Sequence, residues 1–84
     1  MIRMAAKTSM SPEEAIKRAV AFFGPGGYGL EIKEQSASYI CFEGGGGVVE
    51  VYASAQGKDT ALELVSQEWD YQVKEFLGSL KGLK

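Results

Sequence analysis

The sequence predicts an α+β fold: a two-layer sandwich of order α-β-β-β-α, with both helices on one face of a three-stranded antiparallel meander. Three observations lead there. A well-capped amphipathic segment follows a patternless start, three short runs alternate with period two, and a long stripe at helical spacing closes the chain.

Residues 1–10 carry no clear periodicity and read as a flexible arm ahead of a single domain over residues 11–84. Ser11-Pro12-Glu13-Glu14 then sets a helix start. Ser11 takes the N-cap, Pro12 the first helical position, and Glu14 completes a capping box. Ile16, Ala19, Val20 and Phe23 form the apolar stripe, Gly24 stops the helix, and Pro25 forbids its continuation. Lys17 and Arg18 fall on the solvent side.

Strands are expected at about 28–34, 38–43 and 48–54. The glycines at 44–47 invite a phosphate-cradle reading, but such a cradle must open a helix, and here a β-branched run follows. They read as a hairpin loop that sets Glu43 opposite Val48, Phe42 opposite Val49, Ile40 opposite Val51 and Tyr39 opposite Tyr52. A turn at 35–37 would put Ile32 opposite Ile40 and Leu30 opposite Phe42. Directly opposed residues share a face, so both hairpins place their apolar residues on one side.

The last element reads as one long helix from 60 to 80. Thr60, with Asp59 as its rival, would cap it, Glu63 would close a capping box, and Leu62, Val65, Trp69, Val73, Phe76 and Leu80 would make the stripe. Such a helix would be about 30 Å long against about 23 Å for a seven-residue strand, so its end should overhang the sheet. Gly78 and Gly82 suggest fraying there.

The 84 residues suffice for one core, and a content of 45% hydrophobic and 24% charged residues is that of a globular chain. The net charge is −2 and the densest basic spot is Lys17-Arg18, which speaks against nucleic acid as a partner. There is no histidine and only one cysteine, so the commonest general base, a cysteine-rich metal site and an internal disulfide all drop out. No apolar run is long enough to cross a membrane as a helix, and the first residues make a poor secretory signal, so a cytoplasmic location is expected.

Candidate chemistry is sparse. The registers set Glu31, Cys41 and Glu50 in one cross-strand row and Lys33, Tyr39 and Tyr52 in the next. Neighbouring carboxylates disfavour a thiolate, so Cys41 reads as a small apolar residue. Glu31 and Glu50 on an open face lack the desolvation that acid–base work requires. No catalytic residue, metal ligand or cofactor is nominated, and the protein is not expected to be an enzyme.

The expected role is a non-enzymatic interaction module that self-associates, as a homodimer, or binds another protein. Tyr39, Val48, Glu50 and Tyr52 form the candidate surface beside an unprotected edge on the third strand. Leu64 and Tyr71, opposite the stripe of the long helix, make a second candidate patch. The alternative is a small apolar ligand held between the C-terminal helix and the sheet, an analogy of fold alone to larger helix-grip proteins.

Overall fold

A computed structural model describes residues 2–81, and its elements follow the order β1 (Ile2–Thr8), α1 (Pro12–Phe23), β2 (Glu31–Gln35), β3 (Tyr39–Gly44), β4 (Gly47–Gln56), β5 (Asp59–Gln67) and α2 (Asp70–Lys81). The α+β class, the antiparallel sheet and the two helices agree with the expectation, while the three-stranded layout does not. All five strands join one antiparallel sheet in the order β1-β5-β4-β3-β2.

Two corrections account for the difference. Residues 2–8 of the expected arm are an edge strand: Ile2, Met4, Ala6 and Thr8 stand opposite Ser66, Leu64, Leu62 and Thr60 of β5. The expected long helix divides into β5 and a short α2, so the expected overhang does not arise among the described residues. In β5 Thr60, Leu62, Leu64 and Ser66 are buried while Ala61, Glu63 and Val65 alternate with them on the other face. The turn before β5 is Gly57-Lys58, between paired Gln56 and Asp59; Gly57 has φ +63°, a hairpin signal and not a helix start. Thr60 caps no helix. Its hydroxyl donates to the Met10 carbonyl and ties β5 to the β1–α1 link.

α1 keeps the expected bounds. Ser11 Oγ accepts from the Glu14 N–H at 3.2 Å, and Ala15, Ile16, Ala19 and Phe23 are buried. Because β1 and β2 lie at opposite edges of the sheet, α1 must cross it, and it packs on β4 and β3. Twelve residues reach about 18 Å, close to the roughly 19 Å between the two edge strands. α2 lies over β1 and β5 with Val73, Phe76, Leu77 and Leu80 buried. Gly78 lies within α2, and Gly82 falls outside the described residues.

Rings lock the two layers together. Phe23 stands 5.5 Å from Phe42 of β3 and 5.3 Å from Phe76 of α2. Ile40, Val49, Val51, Leu62 and Leu64 complete the inner face. Its two buried hydroxyls are satisfied: Thr60 donates to Met10, and Ser66 Oγ accepts from the Trp69 N–H at 3.2 Å.

The β3–β4 register is the expected one in every pair. The loop is tighter than four residues, because Gly44 pairs with Gly47 and only Gly45 and Gly46 turn, at φ +58° and +81°. Two positive φ values make the I′ geometry that matches strand twist. Trp69 braces this turn from below. Its Nε1 donates to the Gly44 carbonyl at 2.9 Å, and a Cβ on Gly45 would meet its ring at 2.8 Å.

The β2–β3 register is corrected. Ile32 pairs with Phe42 and Glu31 with Glu43, a bulge follows, and Glu34 and Gln35 then face Cys41 and Ile40. Leu30 precedes the strand and is buried.

Candidate functional site

The helices cover one face of the sheet and leave the other open. Four of the six candidate interface residues meet there: Tyr39 and Glu50 are half-buried, Val48 likewise, and Tyr52 is 41% exposed. The structure separates the other two. Leu64 points into the core at 0% exposure, a correction that follows from the strand period of β5. Tyr71, 71% exposed, stands on α2 in the helical layer. The open face also gains Ala61, Glu63 and Val65 of β5, which a helix over 60–80 would have placed elsewhere, and Arg3, Ala5 and Lys7 of β1, which was expected as an arm; Arg3 bridges Glu63 at 2.7 Å. The alternation of Thr60 to Gln67 behind a Gly-Lys turn was the signal for the β5 residues.

The expected edge on the third strand does not exist. That strand, β4, pairs with β3 on one side and β5 on the other. The true edges are β1 and β2. β2 is short, bulged and carries Lys33; β1 carries Arg3 and Lys7; such features discourage edge-to-edge pairing.

At the centre of the open face Glu50 organises the tyrosine pair. The Tyr39 and Tyr52 hydroxyls donate to the same oxygen, Glu50 Oε1, at 2.9 and 2.8 Å. Their rings lie 4.9 Å apart at 48°. Burial, then the bond to Glu50, pushes the Tyr39 phenol well above the usual tyrosine range. For Tyr52 the hydrogen bond to Glu50 is the larger cause of the same upward shift. Both rings are thus held neutral and in fixed rotamers, the form suited to packing against a partner and not to general-base chemistry.

Cys41 lies between Glu50 of β4 and Glu34 of β2, the latter replacing the Glu31 of the expected row. Burial pushes its thiol up; a hydrogen bond to Tyr39 offsets part of this, and the carboxylates of Glu50, Glu43 and Glu34 add to it. A thiol so placed is a poor nucleophile. Lys33, displaced by the bulge, bridges Glu31 at 3.2 Å and Glu43 at 3.9 Å instead of joining the Tyr39–Tyr52 row. The hydrogen bond to Glu31 is the main reason its ammonium is held above its ordinary range.

A shallow concavity of about 360 Å³ lies at one end of this face, bounded by Glu31, Glu43, Val48, Gln67 and the glycine turn. In the layer between α2 and the sheet, where an apolar ligand was the alternative, Val73, Phe76, Leu77 and Leu80 are buried in the core. Among the described residues no group of three or more His, Cys, Asp or Glu side chains is placed to hold a metal ion, and no helix is long and apolar enough to cross a membrane. Compared with family models, curated proteins and solved structures, the chain matches none.

Proposed function

We propose that this protein is a non-enzymatic interaction module that docks a protein partner on the open face of its sheet. The observation that carries the reading is the asymmetry of the two faces. One is sealed by α1 and α2; the other presents Tyr39 and Tyr52 pinned on Glu50, beside Val48 and Val65. Aromatic residues with fixed rotamers lose little entropy on docking, which is why such residues dominate contact surfaces.

Site-specific photocrosslinking in cells tests this reading. A benzophenone side chain at position 52 should yield a protein adduct, and the same group at the exposed Lys17 of α1 should not. Equal adducts at both positions, or none at 52, would refute docking on the open face.

A further inference from the structure

We propose that the occupant of the open face is a second copy of this chain, related by a twofold axis that runs along β4. This rests on the open-face reading and adds the partner and its orientation.

β4 is the middle strand of the order β1-β5-β4-β3-β2, so such an axis lays β1 of one copy over β2 of the other. The charges are distributed for that arrangement. The β1 flank carries Arg3 and Lys7, and the opposite flank carries Glu31, Glu34 and Glu43 with Lys33 among them. Arg3 bridges Glu63 of its own sheet at 2.7 Å, and Glu34 has no ion-pair partner among the described residues.

The pairing rows fix which residues meet. Arg3, Val65, Glu50, Cys41 and Glu34 form one row straight across the sheet. Rotation about an axis along the strands keeps each row at its height and reverses its order. Arg3 then faces the partner's Glu34, and Val65 faces the partner's Cys41. In the neighbouring row Tyr52 meets its own copy, ring on ring. A twofold across the strands would instead lay β1 over β1 and β2 over β2, cation on cation and carboxylate on carboxylate.

The area suffices. Strands about 4.8 Å apart and about 23 Å long give this face roughly 500–600 Å² per copy. Together the two copies clear the roughly 1,000 Å² that a specific interface needs. Two contacts are adverse: Arg3 must share its bridge to Glu63 with the partner's Glu34, and Glu50 lies on the axis and meets its own copy. The two phenol hydroxyls that share Glu50 Oε1 hold that carboxylate to its own sheet.

Sedimentation equilibrium on the purified chain at low salt is the test, using Arg3→Glu, Glu34→Arg and the double variant. All three change exposed side chains, and circular dichroism checks that each still folds. The wild type should be a dimer. Each single reversal should weaken it about tenfold, since it turns attraction to repulsion in both symmetry-related pairs. Arg3→Glu also breaks the bridge to Glu63 within each copy, so Glu34→Arg is the cleaner arm. The double should recover to within about threefold of wild type. A wild type that stays monomeric to about 1 mM overturns the second copy. The open-face reading then stands if the adduct at position 52 contains a different chain, and falls if there is no adduct. A dimer broken by Tyr52→Glu but indifferent to both reversals keeps the open face and overturns the axis.

Discussion

Leu64→Ala and Val65→Ala form a crossed pair whose order of cost depends on what the chain does between residues 59 and 67. As a strand, β5 sends Leu64 into the core at 0% exposure and leaves Val65 half-buried on the other face. As a helix, Val65 would lie on the core stripe and Leu64 opposite it. Leu64→Ala removes about three methyl or methylene groups at ~0.8 kcal/mol each, and the cavity left among Val51, Met4 and their neighbours adds to that, for a loss of about 3 kcal/mol. Val65→Ala removes half-exposed groups and should cost less than about 1 kcal/mol. A chain of this size is stable by about 4–12 kcal/mol, so both variants should remain folded. Guanidinium unfolding, followed by the single tryptophan at low protein concentration to exclude association, provides the assay. With a slope of about 2 kcal/mol per molar, Leu64→Ala should lower the midpoint by about 1.5 M. Val65→Ala as the costlier of the two, with Leu64→Ala within about 0.5 kcal/mol of wild type, would refute the strand.

Glu68 holds φ +74° at the exit from β5, a left-handed conformation that costs a non-glycine residue. Glu68→Gly should therefore raise stability by about 0.5–1 kcal/mol in the same unfolding assay, and a loss would argue against strain there. Tyr39 keeps its proton in the folded state at pH values where the unfolded chain gives it up, because burial and the bond to Glu50 raise its phenol. The resulting stability is full below the ordinary tyrosine value of about 10 and is lost as pH rises from there toward the folded value. Melting curves above pH about 10 should fall more steeply for wild type than for Tyr39→Phe, and parallel curves would contradict the shift. Glu50→Gln keeps an acceptor for both tyrosines but removes the like charges on the proposed axis, so it should tighten the dimer by about threefold, where a weaker dimer would place Glu50 off the axis.

What was legible in the sequence was local. The cap of α1 and the β3–β4 register depend on residues a few positions apart, and Gly45-Gly46 permits only a tight turn there. The tyrosine pair of the open face followed from that register. The bulge in β2 was not legible, because Lys33 fits an alternating pattern and leaves it only to reach Glu31 and Glu43. β1 was hidden for a different reason. Its inward residues include Ala6 and Thr8 and its outward ones Ala5, so the alternation has little hydropathy contrast, and its partner lies at the far end of the sequence. In β5 the inward row begins and ends with hydroxyls, Thr60 and Ser66, while Val65 faces out. Leu62, Val65, Trp69 and Val73 imitate a helix stripe among good helix formers, and pairing with two strands overrides that propensity.

The pairing of β1 with β5 also sets the order in which the chain can fold. Every other pair of neighbouring strands is a local hairpin, but Ile2 finds its place only beside Ser66. During synthesis β1 leaves the ribosome long before its partner and must wait unpaired until β5 has emerged. Until it docks, Leu62 and Leu64 belong to a sheet edge, a segment prone to pairing with the wrong chain. β1 therefore closes the sheet last, and whatever delays its arrival lengthens the exposure of that edge.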